Sequence, residues 1–212
     1  MKLLKLTIAL AFIANFCVAN PEYNDTLDKG YSGIGISFSS LSGDVEGDGI
    51  GLSTTFHPGK QNLVIQGQYQ YLTADKILGT DVSTFDVEAY SVALGLGYII
   101  ELTDKVHLVP NLGYQYTEYG VLGYEAATMD SLVFGAMVRY LILENTVLSA
   151  GVNFTSGELD SAIAEVDGLE TDATAYAVSV THHFNDAFSA GIAYGTDNMS
   201  ADVLGINLVF NF

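Results

Sequence analysis

The sequence is poor in several residue types, and each shortage excludes a class of protein. Its 212 residues include one cysteine, no tryptophan and three prolines, and only seven Lys and Arg stand against 25 Asp and Glu. The formal net charge of −18 excludes binding to nucleic acid, because a phosphate backbone is held by clustered basic residues. The same shortage disfavours attachment to anionic lipid through basic side chains. Disorder is also excluded, since 49% of the residues are hydrophobic and 15% are charged.

No apolar run is long enough for a membrane-spanning helix, which needs about 20 residues. The longest, Leu6 to Phe16, follows Lys2 and Lys5 and precedes Cys17-Val18-Ala19, the arrangement of a secretory signal peptide with its cleavage site. We therefore expect residues 1–19 to be removed and residues 20–29 to form a periplasmic N-terminal segment. The only cysteine leaves with the signal, so the mature chain has no disulfide.

What the rest of the sequence does contain is alternation of apolar and polar residues, in segments of about ten residues. In one segment Tyr90, Val92 and Leu94 alternate with small residues, and the same period of two recurs to the end of the chain. This period is typical of transmembrane β-strands. Ten such segments can be counted: Gly33–Ser39, Ile50–Phe56, Asn62–Tyr71, Ala89–Ile100, Val106–Thr117, Ser131–Ile142, Leu148–Thr155, Ala175–Thr181, Phe188–Gly195 and Leu204–Phe212.

A soluble β-sandwich also alternates, but its polar face usually carries Lys, Glu, Thr and Arg. Here that face carries Gly, Ser, Ala, Asn, Gln and Thr with one charge, Arg139, while the acidic residues are concentrated in the connections. The pattern predicts an all-β protein, a closed antiparallel transmembrane barrel over residues 30–212. Ten strands are predicted, with eight as the alternative. Connections alternate between short ones, predicted to be periplasmic turns, and longer acidic ones, predicted to be extracellular loops.

The C-terminal segment has apolar residues at alternate positions and ends in Phe210 and Phe212. It resembles the signal by which the assembly machinery of the outer membrane recognises its barrels. With the signal peptide and the ten segments, the chain resembles the small single-domain outer-membrane barrels of Gram-negative bacteria, which include opacity-type, adhesin-type and porin-like members. The resemblance implies an outer-membrane location, with membrane lipid, lipopolysaccharide and the assembly machinery as partners.

Candidate site residues are few. The long inward-facing side chains predicted for the lumen are Arg139, Gln66, Gln68, Gln70 and Gln115. A weak divalent-cation site is conceivable at Asp44, Glu46 and Asp48, although Thr55 stands where a calcium loop has its closing Glu. All four histidines lie beside short turns, away from outer-leaflet substrates, and no Ser-His-acid set is present, so neither an enzyme nor a cofactor is predicted.

Two functions remain open. The first is a narrow passive channel for small neutral or cationic solutes, with the acidic loops enriching cations at its mouth. The second is a non-conducting structural or adhesive surface protein whose acidic loops are bridged by divalent cations to lipopolysaccharide. Neither the solute, the surface partner nor the oligomeric state follows from the sequence.

Overall fold

The computed structural model describes residues 33–57, 62–77, 80–81, 87–121, 124–161, 168–198 and 201–211. These residues form twelve strands: β1 (Gly33–Gly43), β2 (Val45–Phe56), β3 (Leu63–Ile77), β4 (Thr80–Asp81), β5 (Val87–Tyr98), β6 (Ile100–Thr103), β7 (Val106–Val121), β8 (Tyr124–Leu143), β9 (Thr146–Ser161), β10 (Leu169–Asn185), β11 (Phe188–Asp197) and β12 (Ala201–Asn211). The expected signal peptide, the N-terminal segment and Phe212 lie outside the described residues. Within the described residues, no helix is long and apolar enough to span a membrane.

The strands form a closed antiparallel barrel with ten strands in its wall. β1 pairs with both β2 and β12, so that Gly33 lies opposite Thr55 on one side and Asn211 on the other. β5 and β6 both pair with β7 and are separated by Ile99 alone, so they act as one wall strand. β4 is a two-residue extension paired with the end of β3. The prediction of ten strands is confirmed, and the alternative of eight is wrong.

Side chains alternate between the inside and the outside of the wall. In β1, Ser37 and Ser39 are buried, whereas Ile34 and Phe38 are 53% and 51% exposed. Leu94 on β5 is 65% exposed. Large apolar side chains, Tyr and Phe rings among them, cover the outside of every wall strand. Because the closed sheet pairs its strand edges, this surface suits the hydrocarbon of a membrane.

The two ends of the barrel differ. At the turn end the connections are short, with two residues each at positions 104–105, 144–145 and 186–187. At the opposite, loop end the strands run further than the sequence predicted. β1 and β2 are separated by Asp44 alone, and β7 continues to Val121. Much of the sequence predicted as loops, including positions 45–48, 119–121 and 124–129, is therefore strand.

These extensions exist because their inward-facing residues are apolar and pack together. We call this cluster the loop-end layer. It is contributed by eight strands and consists of Leu41, Val45, Leu72, Ala74, Val87, Ala89, Tyr119, Ala127, Met129, Leu159, Ala201 and Val203. Burying a large apolar side chain stabilises a fold by about 1.5–3 kcal/mol, which favours strand pairing in segments that would otherwise be solvated loops.

Candidate functional site in the barrel lumen

The middle of the lumen is polar and partly open. Two cavities of about 60 Å³ each lie there, and Gln66, Asn111 and Asn153 line both of them. The second cavity is also lined by Ser149, Gly151 and other small residues. A water molecule requires about 10–15 Å³ of such space, so each cavity has room for several. The middle of the barrel therefore offers neutral hydrogen-bonding groups to water or to a small solute.

The four predicted glutamines all lie on the inner face, at different degrees of burial. Gln66 and Gln68 are half-buried, whereas Gln70 and Gln115 are 1% and 0% exposed. The Gln115 amide donates to Thr117 Oγ1 over 3.0 Å, and that hydroxyl is also 3.0 Å from Ser91 Oγ. Both polar atoms of the Gln70 amide are buried with no hydrogen-bond partner among the described residues. Polar groups thus continue from the cavities toward the loop end.

At the loop end, the lumen is closed by the loop-end layer. Met129 lies directly opposite Leu159 on the neighbouring strand, and the two are 1% and 0% exposed. Val45 and Leu72 are each 1% exposed, so water does not reach them. This layer was not predicted from the sequence, because outward-facing acids interrupt the same segments. The sequence feature that predicts the layer is an apolar residue at every second position within these acidic segments, such as Met129 between Thr128 and Asp130.

At the turn end, the lumen is filled by basic and imidazole side chains together with a buried apolar cluster of Val64, Ile99 and Val109. Arg139 on β8 lies directly opposite His107 on β7, and both face inward with 4% and 3% exposure. His57 and His183 are also buried there. Burial lowers the pKa of His57, which follows the last residue of β2, so this imidazole is neutral at pH 7. All three histidines lie beside short turns, where the sequence placed them.

His182, by contrast, faces outward. Its Nδ1 is 3.0 Å from Thr146 Oγ1, and its ring meets that of Phe184 edge-on with centroids 4.9 Å apart. His182 and His183 therefore point to opposite sides of the wall and do not form one site.

Arg139 is not the only charged residue on the inner side of the wall. β11 continues to Asp197, which lies opposite inward-facing Ala175. The Asp197 carboxylate is half-buried and accepts a hydrogen bond from the Ala201 backbone over 3.0 Å. The expectation of a single inward charge is therefore wrong. The segment predicted from the sequence ended at Gly195, two residues before the strand ends at Asp197. The lumen has a carboxylate at its loop end and a guanidinium near its turn end.

On the outside of the barrel, tyrosines pair with carboxylates toward the loop end. Tyr71 donates to Glu88 over 3.0 Å, Tyr194 donates to Asp202 over 2.9 Å, and Tyr114 donates to Asp130. In each pair the two residues are on neighbouring strands. Much of the acidic charge assigned to loops is thus on the outer wall, beside the loop-end tyrosines. This is the level at which aromatic rings meet lipid headgroups.

The candidate divalent-cation residues are not brought together. Asp44 forms the turn between β1 and β2, and Glu46 and Asp48 follow on the outward side of β2. Among the described residues no group of three or more His, Cys, Asp and Glu side chains has an arrangement that could hold a metal ion. Phe210, the described residue of the predicted assembly signal, is 60% exposed on the outside of β12 and lies opposite Phe188.

A closed barrel with an apolar outer belt and a polar lumen is the architecture of bacterial outer-membrane proteins. The chain thus has the fold of the small outer-membrane β-barrels of Gram-negative bacteria and is located in that membrane. An outer-membrane channel from Pseudomonas putida F1 is similar, with a TM-score of 0.56, 14% identity and coverage of 92% of this chain and all of the other. The NanC porin has a TM-score of 0.50 at 12% identity, covering 84% of this chain and all of the other. Neisserial surface protein A has a TM-score of 0.43 at 14% identity, covering 85% of this chain and 96% of the other. No protein-family description and no curated protein matches the sequence.

Proposed function

We propose that the protein is a non-enzymatic, narrow passive channel for small neutral or cationic solutes, and that the loop-end layer is its gate. The observation that carries this proposal is the contrast along the lumen. Neutral polar groups surround cavities of about 60 Å³ in the middle, whereas apolar side chains exclude water at the loop end. Apolar constrictions of this kind close channels by dewetting. Conduction then requires the strand ends at the loop end to move apart.

The gate can be tested by making its layer polar. Met129→Ser and Leu159→Ser remove two large apolar side chains that face each other across neighbouring strands. Thr128→Ser is the matched control, since Thr128 is next to Met129 but faces outward. The refolded proteins would be compared in planar bilayers, after their native folding had been checked by heat-dependent migration in detergent gels.

We expect the wild type and Thr128→Ser to open rarely and the two inward variants to conduct for longer or with larger currents. If none of the four proteins conducts in planar bilayers, the proposal that the protein is a channel is contradicted. If the wild type conducts steadily and the currents of Met129→Ser and Leu159→Ser are the same, the protein is a channel but the loop-end layer is not its gate.

The second candidate function is a non-conducting surface barrel bound to lipopolysaccharide through divalent cations. The outward carboxylates favour it, because Glu88, Asp130 and Asp202 are held by tyrosines at headgroup level. Carboxylates and lipid phosphates both supply the oxygen ligands that Mg²⁺ and Ca²⁺ require. Its test is thermal stability in lipopolysaccharide bilayers with and without Mg²⁺. Stabilisation by Mg²⁺ that is reduced in Asp130→Asn, together with silence in the conductance experiment, would establish this alternative.

A further inference from the structure

Positively charged residues are rare in this chain, yet two of them line the same small cavity. The sequence has seven Lys and Arg in all, and Arg139 is its only arginine. Lys105, His107 and Arg139 line a cavity of about 10 Å³ at the turn end, next to Val147. In a protein with a formal charge of −18, this cavity is a local concentration of positive charge.

Strand pairing holds these groups together. Arg139 lies opposite His107 on one side and opposite Ser149 on the other, and all three side chains face inward with exposure of 4% or less. Lys105 is in the two-residue turn before β7 and is exposed, so the cavity lies at the boundary with solvent. His183, on β10, also faces inward at the turn end and is buried.

The groups at this cavity are mainly hydrogen-bond donors. Guanidinium and ammonium groups donate only, and a neutral imidazole and a hydroxyl each have one proton to donate. Two hydroxyls lie outside the lining of this cavity but are paired in register with inward-facing residues of the turn end. Ser149 Oγ, opposite Arg139, and Ser189 Oγ, opposite His183, have no hydrogen-bond partner among the described residues and are 2% and 0% exposed. Buried polar atoms in proteins are nearly always paired. Two exposed carboxylates lie near the cavity in sequence or register: Asp104 directly precedes Lys105 in the turn, and Glu101 lies opposite His107.

We propose that this turn-end cavity binds the carboxylate group of a small organic anion. A guanidinium forms a strong, charge-assisted hydrogen bond to a single carboxylate oxygen, and its five N–H groups allow such a ligand in addition to its protein contacts. A space of about 10 Å³ admits roughly one water-sized atom, so a carboxylate oxygen enters while the rest of the ligand stays outside. The site goes beyond the proposed channel for neutral and cationic solutes and does not depend on conduction.

The single arginine makes a direct test possible. In a two-dimensional NMR spectrum of isotope-labelled protein in neutral maltoside micelles, Arg139 gives the only arginine Nε–H signal. The refolded protein would be titrated with sodium acetate, and separately with sodium phosphate, at constant ionic strength. We expect the acetate titration to move this signal saturably and the phosphate titration to move it less.

Two variants and a control identify the site. Lys105→Gln and His107→Phe should each weaken acetate binding about fivefold, the effect of losing one ordinary hydrogen bond, because both residues line the cavity. Ser53→Ala, at an equally inward serine on β2, should leave the affinity unchanged. A shift that does not saturate, or that is the same in all three variants, would refute the site. Saturation by phosphate but not by acetate would overturn the assignment to carboxylates.

Discussion

At the scale of single residues, the direction of a side chain determines what a substitution costs. Leu94 is 65% exposed on the outer wall, whereas its neighbour Ala93 faces the lumen and is half-buried. Leu94→Arg should destabilise the barrel by about 2–4 kcal/mol, because a charge on the lipid face must leave water. Ala93→Arg should cost less, since its guanidinium meets polar groups. Urea unfolding in lipid vesicles measures both, and equal losses would contradict the assigned faces.

The cost of replacing a glycine by alanine also depends on position, because it is determined by the atoms that the added Cβ would meet. A Cβ atom added at Gly135 would lie 2.1 Å from Asn153 Oδ1 and 2.3 Å from the Val152 carbonyl oxygen. At Gly205 the nearest atom would be the Phe38 carbonyl oxygen at 3.6 Å, an ordinary contact. Gly135→Ala should therefore cost about 1–3 kcal/mol through overpacking, and Gly205→Ala should be nearly neutral. Urea unfolding in lipid vesicles measures the loss of stability in both variants. A larger loss in Gly205→Ala than in Gly135→Ala would show that the Gly135 backbone can shift.

At the scale of elements, the sequence predicted where strands exist better than where they end. All ten wall strands carry their period of two across the membrane, which made the fold predictable. Their loop ends were assigned too early because residues such as Asp130 and Glu158 suggested solvated loops. In the structure these two acids lie opposite each other on the outer wall, and Met129 and Leu159 continue the inward pattern beside them. Charge on one face does not end a strand whose other face is buried.

Hydrogen exchange tests these extensions directly. If the strands continue beyond the membrane, the backbone amides of Tyr119, Met129 and Leu159 should exchange as slowly as that of Val92 in the middle of β5. Exposed loops would exchange these protons close to the rate of an unstructured chain, because protection reflects the free energy of local opening. The measurement is amide exchange by mass spectrometry in detergent. Fast exchange at Met129 and Leu159 would contradict the loop-end layer.

At the scale of the whole molecule, barrel closure could be predicted from ten alternating segments whose polar face carries almost no charge, but the filling of the lumen could not. Which inward residues meet across a barrel depends on the stagger between strands, and no single strand specifies that stagger. The sequence identified Gln66 and Arg139 as inward-facing. It could not indicate that Gln66 lines both central cavities or that Arg139 shares a cavity with Lys105.

The charges of the molecule are distributed unevenly along its axis, and this distribution predicts the selectivity of the open channel. Carboxylates lie at the loop end on both faces of the wall, with Asp197 facing inward and Asp202 facing outward to Tyr194. Once Leu159→Ser has opened the gate, ions entering from the loop end pass Asp197 first. The current should therefore be carried mainly by cations.

Asp197→Asn in the Leu159→Ser background should reduce this cation preference, because it removes the inward carboxylate. Asp202→Asn, its outward-facing control, should change the preference little, since the barrel wall separates Asp202 from the ion path. Reversal potentials in a potassium chloride gradient measure both effects. The preference should also weaken from about 0.1 M to about 1 M salt, where the screening length falls from about 10 Å to about 3 Å. Anion preference, or equal effects of the two substitutions, would mean that the loop-end carboxylates do not control entry.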